Sequence, residues 1–348
     1  MKRHESVTLR DVARHANVGQ ATAARALGSY GRINPATRER VLASAAELGY
    51  RTNALARSMV TRRTRTLGLV VSDIENLFFS RIARAVTDVA RAHGYDVLLL
   101  NTDENVEREM EAVRVLFEKR VDGMIVVPCS STERRHLVPL LERRIPIVLL
   151  DRPITGVAAD TVLVNNFSAT WSAVHYLIEL GHRRIGLLTG GVTTTTGAER
   201  LAGYRQALAD AGVTDADRWI RISDGSRADA QAGTARLLDM PAASRPTALF
   251  ATDSIITAGT LFAIQASGLE IPREISLIGF DDVDWMSMVR PRITVVEQPV
   301  YALGRQAAER LIARIALEED ESEPQHYSFD TDLIVRESCA PPSHDPAS

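Results

Sequence analysis

Thirteen lysines and arginines fall within the first 65 residues, against only four acids, Glu5, Asp11, Glu39 and Glu47, so this head carries a net charge of +9. The rest of the chain, with 28 bases and 40 acids, carries −12. A small cationic head on a larger acidic body suits a protein that meets a polyanion, since clustered cations displace the counterions condensed on phosphate. Composition alone leaves open a merely solvated charge run. Other chemistries lack their residues. Gly190-Gly-Val-Thr-Thr-Thr-Thr-Gly197 is a small-residue loop, but no Gly-Lys-Ser/Thr follows it and no GxGxxG opens a helix, so neither phosphate fingerprint is complete. HExxH and GxSxG are both absent, and the eight histidines lack ligand spacing. Cys129 and Cys339 are too few for a thiolate zinc site or a disulfide framework. No catalytic residue, metal or cofactor is expected. The longest apolar runs, such as Ile145 to Leu150, are strand-sized, and no apolar h-region follows Met1, so a cytoplasmic chain without membrane contact is expected.

Periodicity supplies the elements that position these charges. Thr8 is placed to cap a first helix, with Asp11 three residues on able to return the bond, and Leu9, Val12, Ala13 and Ala16 make its apolar face. Asn17 suits the left-handed backbone of a tight turn. A second helix is expected over 20–27, with Gly19 where a Ser cap would be usual. Asn34-Pro35 opens a third, which closes at Gly49 and has Val41, Leu42, Ala45 and Leu48 as its buried stripe. Helix, short turn, helix is the helix-turn-helix unit. Residues 53–60 could form a two-turn helix capped by Asn53, marginal in water unless something packs on it. The boundaries expected are 1–52 for the head, 53–65 for this hinge and its cationic linker, 66–340 for the body and 341–348 for a proline-rich loose tail.

From Leu67 onward, strand-sized apolar runs at 67–72, 95–100, 122–128, 145–150, 161–165, 184–189, 246–251 and 275–280 alternate with amphipathic stretches. Those include 78–93, 106–119, 167–180, 199–211, 253–267 and 300–317. Strands apolar on both faces fit a parallel sheet covered by helices. The alternation occurs twice, divided near residue 162, and predicts two doubly wound parallel-sheet lobes. Ligands then belong at the strand C-terminal ends, in the crevice between the lobes. The expected fold is an all-α helix-turn-helix head joined to an α/β body.

Leu9-Arg-Asp-Val-Ala-Arg14, Ala21-Thr-Ala-Ala-Arg-Ala-Leu27, Thr37-Arg-Glu-Arg-Val-Leu42, Leu48-Gly-Tyr50 and Asn53-Ala-Leu-Ala-Arg-Ser58 resemble the head and hinge of the LacI/GalR repressor family. The resemblance continues through Thr66-Leu-Gly-Leu-Val-Val71, Leu180-Gly-His-Arg-Arg-Ile185, Glu199-Arg-Leu-Ala-Gly-Tyr204, Gly279-Phe-Asp-Asp282 and Val335-Arg-Glu-Ser338. It implies a DNA-binding regulator, a homodimer with tetramers left open, whose body resembles type I periplasmic binding proteins. Its partners would be a roughly palindromic operator and a small-molecule effector, a sugar or sugar acid. A solute-binding protein without regulatory role is the alternative, and the cationic head speaks against it.

The same resemblance implies DNA-facing residues. Thr8, Gln20, Ala21, Thr22 and Arg25 belong to the head, with the second helix in the major groove; Asn53, Ala56, Arg57 and Met59 belong to the hinge. Gln can bridge adenine N6/N7, Arg can bridge guanine O6/N7, and Ala can meet a thymine methyl. Met59, at the family's minor-groove wedge position, is apolar and unbranched and can unstack a base step. For the effector, loops after the strands offer Asp73, Asn76, Phe78 and Asp151 from the first lobe and Asn165, Arg200, Asp253 and Asp281 from the second. Two-edged polar groups with an aromatic platform suit a polyhydroxylated ring. Thr252 and Asn165 depart from the family's usual Asn and Asp, and Trp171 or Trp285 would serve either the cleft or the core.

Overall fold

The computed structural model describes residues 7–28, 32–50, 63–317 and 323–343, in two compact units that divide between Arg65 and Thr66. In the first unit three helices, α1 (Leu9–His15), α2 (Gln20–Gly28) and α3 (Pro35–Glu47), enclose Val12, Ala13, Ala16, Ala23, Ala26, Val41 and Ala45. The Asp11 carboxylate accepts from the Thr8 backbone N–H at 3.0 Å and from its hydroxyl at 2.6 Å. Asn34 caps α3 by accepting from Ala36 N at 2.9 Å, and Asn17 takes the left-handed turn with φ 52°. Alanines at the helix contacts make this core small. Leu42 corrects the expected stripe of α3: it is 47 % exposed, while Ser44 is buried and donates to the Arg40 carbonyl at 2.9 Å. With 3.6 residues per turn, positions 41, 44, 45 and 48 share a face, and 42 lies off it.

The second unit holds two six-stranded sheets. Sheet one contains β1 (Thr66–Val71), β2 (Asp96–Asn101), β3 (Gly123–Val126), β4 (Ile147–Leu150), β5 (Asp160–Val164) and β11 (His326–Phe329). Its order is β11-β5-β4-β3-β1-β2 and every pair is parallel. Sheet two contains β6 (Ile185–Thr189), β7 (Ile220–Ile222), β8 (Ala248–Ala251), β9 (Ser276–Phe280), β10 (Thr294–Glu297) and β12 (Asp332–Ile334). Its order is β12-β10-β9-β8-β6-β7, parallel except where β12 runs against β10. Helices α4 (Leu77–Ala92), α5 (Val106–Glu118) and α6 (Val138–Glu142) belong to the first lobe, and α7 (Asn166–Glu179), α8 (Thr195–Asp210), α9 (Arg227–Leu238), α10 (Ser254–Ser267) and α11 (Asp284–Met288) to the second.

The expected doubly wound lobes are present, but one division near residue 162 is too simple. The chain leaves lobe one after β5, returns after β10 as α12 (Val300–Ala316) and β11, and ends in lobe two as β12. Leu303, Ala307, Leu311 and Ile315 of α12 pack with Leu67, Ile82 and Ile125 in one core. Three crossings therefore join the lobes. Close approach explains part of the Glu199–Tyr204 motif: a Cβ on Gly203 of α8 would stand 2.4 Å from the Phe167 carbonyl of α7. The neighbouring Tyr204 is fully buried and donates its hydroxyl to the Ile185 carbonyl at 2.7 Å.

His182 fastens the end of the chain to lobe two. Its ring meets the Thr247 hydroxyl at 2.8 Å, the Ser276 hydroxyl at 3.1 Å and the Ala340 carbonyl at 2.9 Å. Burial holds it neutral, with its pKa lowered to about 4. Because an unfolded His titrates near 6.5, the unfolded chain alone takes up the proton as pH falls from about 6.5 to about 4, and stability falls with it. Compared with His182→Gln, the protein should lose up to about 3 kcal/mol across that window, read as the difference between two denaturation series. A difference that stays constant with pH would rule this out.

Candidate DNA interface and effector cavity

On the head, the N-terminal turn of α2 presents Gln20 and Ala21 exposed and Thr22 half-buried. Arg25 is exposed one turn further on, and its Nε donates to the Ala21 carbonyl at 3.2 Å. That bond holds the guanidinium along the face shared by positions 21 and 25. The Gly19 carbonyl accepts from the amides of Thr22 and Ala23 at 2.9 and 3.0 Å, so glycine starts the helix without a side-chain cap. Thr8 is exposed at the start of α1, where its hydroxyl is engaged by Asp11. Asn53, Ala56, Arg57 and Met59, with the expected hinge helix, lie outside the described residues.

In the body a cavity of about 960 Å³ opens at the strand C-terminal ends of both sheets. Asp73, Asn76 and Phe78 line it after β1, Asp151 and Arg152 after β4, Asp253 after β8 and Asp281 after β9, while Arg200 reaches it from α8. Of the eight expected effector residues, only Asn165 is elsewhere. Its side chain caps α7, accepting from Ser168 N at 3.0 Å. The next residue, the buried Asn166, meets the site instead by accepting from Arg200 Nε at 2.8 Å. Trp285 lines the cavity. Trp171 takes the core side of that choice only in part: half-buried, it packs against the lobe-two core, donates to Asp210 at 2.8 Å and stacks on His175, while the fully buried tryptophan is Trp219.

The two lobes use one local device. Asp151 and Asp281 each follow a strand in left-handed backbone, φ 68° and 65°, and each amide bonds to the neighbouring strand at 2.9 Å. Non-glycine residues avoid this conformation, and here it turns a carboxylate from the sheet edge into the crevice. Burial pushes the Asp281 carboxyl up to about 6 despite the opposing Arg200 charge. Burial likewise raises Asp151 and Asp253, against the attraction of Arg152 and Arg200 for the first and of the Ile256 amide and Arg200 for the second. Asp253 also caps α10, accepting from Ile256 N at 2.7 Å.

Arg200 is fixed from three sides. Besides Asn166, it donates through Nη1 to the Thr252 carbonyl at 2.6 Å and lies 4.0 Å over the Phe280 ring. The Thr252 hydroxyl donates to Thr189 at 3.1 Å, so the departure at 252 touches the site through backbone alone. Arg152 forks onto Glu104 at 2.6 and 2.8 Å. Gln298 escapes a sequence reading because β10 reads Thr-Val-Val-Glu, with no apolar run long enough to stand out. This residue, on the crossing after that strand, donates Nε2 to Asp281 at 2.6 Å, and its buried Oε1 has no partner. Bridges between the lobes flank the cavity: Arg81 Nη1 donates to the Asp282 carbonyl at 2.7 Å, and the Ser131 hydroxyl to the Thr193 carbonyl at 3.0 Å.

Residues 8–53 match the model of bacterial regulatory proteins of the lacI family, and residues 174–339 that of the periplasmic binding protein-like domain. The chain is 34 % identical over 335 residues to the transcriptional repressor PurR of Escherichia coli, covering 96 % of this chain and 97 % of that one. It is 32 % identical over 310 residues to catabolite control protein A of Priestia megaterium, covering 89 % and 92 %. Among solved structures, a Lac repressor dimer bound to operator aligns with a TM-score of 0.83 at 25 % identity, over 97 % of this chain and all of that one. Matching motifs in head and body, at full-length coverage, leave one assignment: the chain belongs to the lacI family of bacterial regulatory proteins.

Proposed function

We propose that this protein is a homodimeric transcriptional repressor whose hold on a roughly palindromic operator is set by a small polyhydroxylated effector bound between the lobes. The observation that carries the reading is the cavity itself. Two lobes contribute fixed carboxylates, a guanidinium anchored on Phe280, and the rings of Phe78 and Trp285. That combination hydrogen-bonds both edges of vicinal hydroxyls while a ring face takes the apolar side of a sugar. Relatives in solved structures include a CelR regulator in complex with cellobiose and a LacI-family regulator of Enterococcus faecium with bound ribose. Gln20, Ala21 and Arg25 would meet base edges in the major groove and Thr22 the DNA backbone, with Thr8 a further DNA contact and Asn53, Ala56, Arg57 and Met59 meeting DNA from the hinge, Met59 in the minor groove.

The effector would act by favouring one angle between lobes joined by three crossings, and DNA and effector must then influence each other reciprocally. No catalytic role is assigned to the cavity, and a cytoplasmic site of action fits an operator partner. Among the described residues, no helix is long and apolar enough to cross a membrane.

A gel-shift against genomic fragments, repeated with candidate sugars and sugar acids, tests the whole reading. Selective retention of a fragment that a sugar or sugar acid alters is expected, with affinity falling steeply as salt rises. Equal affinity for every duplex, or a flat salt response, would overturn it. Arg25→Ala should cost about 1–3 kcal/mol of operator affinity and relax preference at one base position. A uniform loss on all sequences would make Arg25 a phosphate contact instead.

A further inference from the structure

The charges facing the cavity are strongly unbalanced. Lobe one contributes the carboxylates of Asp73, Glu75, Asp103, Glu104 and Asp151, and lobe two those of Asp224, Asp253 and Asp281; only Arg152, Arg200 and Arg227 oppose them. With Asp103 set against Arg108, which lies outside the lining, four carboxylates remain in excess. The inner guanidinium groups are partly committed: Arg152 keeps a buried Nε without a hydrogen-bond partner, and Arg200 gives two of its five N–H groups to the protein. Arg152 is forked onto Glu104 and stands 3.2 Å from Asp151. Arg200 spends donors on Asn166 and the Thr252 carbonyl.

A second observation points the same way. Gln298 is 4 % exposed, lines the cavity, and has a buried Oε1 that accepts nothing. Its amide orientation follows from the chemistry, because the carboxylate it meets can only accept while ionised, so Nε2 faces Asp281 and Oε1 is left over. A buried acceptor without a donor is costly, and a ligand that donates there removes the cost.

On the reading of this cavity as the effector site, we infer that the effector is cationic: a polyhydroxylated molecule bearing a protonated amine, an amino sugar in the simplest case. Low-dielectric walls lined with one sign of charge concentrate the opposite charge, and an ammonium brings three donors and no acceptor to a surface rich in acceptors. Burial already pushes Asp281 up to about 6, and a cation at hand would return it to the ionised form. A carboxylate or phosphate on the ligand would meet the opposite field.

The test uses the full-length protein at neutral pH with three matched probe sets, read by thermal shift and titration calorimetry. The sets are glucose, galactose and mannose; their 2-amino-2-deoxy counterparts; and the corresponding uronic acids. One amino sugar should bind at least about tenfold more tightly than its neutral parent, while the uronates give no stabilisation. Asp224→Asn at the rim should narrow that ratio. A neutral parent that binds as tightly as its amine, or a uronate that binds best, overturns the inference and leaves the effector site standing. No stabilisation by any probe removes both together.

Discussion

Replacing Asp160 by asparagine should destabilise the body by about 3–5 kcal/mol, although the residue is far from any ligand-binding role. Asp160 opens β5 with its side chain 1 % exposed, and its two oxygens receive four donors. Arg310 Nε reaches it at 2.6 Å, Arg314 Nε and Nη2 at 2.8 Å each, and the Gln325 amide at 2.7 Å. Burial alone would raise this carboxyl; the Arg314 and Arg310 hydrogen bonds outweigh it and hold the pKa below the ordinary range. The asparagine keeps the shape but withdraws the carboxylate charge from between two guanidinium groups that are only 13 % and 11 % exposed.

The damage is not confined to one pair, because the three partners belong to α12 and the segment entering β11, the part of the chain that returns to lobe one. In thermal denaturation the loss should read as a midpoint lowered by roughly 10 °C. Removing a second member should cost less than the sum: Asp160→Asn with Arg314→Leu should regain part of the loss. A change within about 0.5 kcal/mol for the single variant would mean that the cluster is a solvated surface pair after all.

That cluster also marks what the sequence could not convey. Several elements announced themselves through composition: β1, β4 and β6 lie in strand-sized apolar runs, and α4 repeats its apolar positions at helical spacing. β7 and β12 have three residues each, and β11 reads His-Tyr-Ser-Phe with alternating exposure at a sheet edge, so none forms a continuous apolar run. Missing β10 to β12 meant missing the two late crossings, and a clean division near 162 followed.

The cavity was more legible than the topology for a physical reason. Carboxylates immediately after apolar runs must leave the sheet at its C-terminal edge, which fixes Asp73, Asp151, Asp253 and Asp281 without knowledge of strand order. Asn165 lies outside the cavity lining through a one-residue ambiguity: either of two adjacent asparagines can cap α7, and only the backbone decides that Asn165 does so while Asn166 meets Arg200. Gln298 depended on a crossing that periodicity did not reveal.

Arg200→Met should separate the body's stability from its response to effector, and its signature is a dependence on pH. The wild-type guanidinium is the countercharge nearest the interior carboxylates, attracting Asp281, Asp151 and Asp253. Burial disfavours the arginine's own charge, and those three acids hold it in place. Methionine preserves contact with Phe280 but removes the charge and the bonds to Asn166 and Thr252. The carboxyl groups then rise further above their unfolded values.

An acid whose native pKa exceeds its unfolded one binds more protons folded than unfolded, so stability is lost as pH rises through the native pKa. For Asp281 in the wild type that loss is complete a little above its pKa of about 6. In Arg200→Met it should continue to higher pH. The variant's deficit is then expected to be small near pH 5 and to reach about 3 kcal/mol or more near pH 8, measured as paired urea denaturation series. Operator binding at pH 6, where the variant is still folded, should be retained, because the head is a separate compact unit. The effector's influence on that binding should fall at least about tenfold, the consequence of losing a charged donor worth about 1.5–3 kcal/mol. A pH-independent deficit would mean that the carboxylates do not depend on Arg200. An unchanged effector response would remove the guanidinium from the binding machinery.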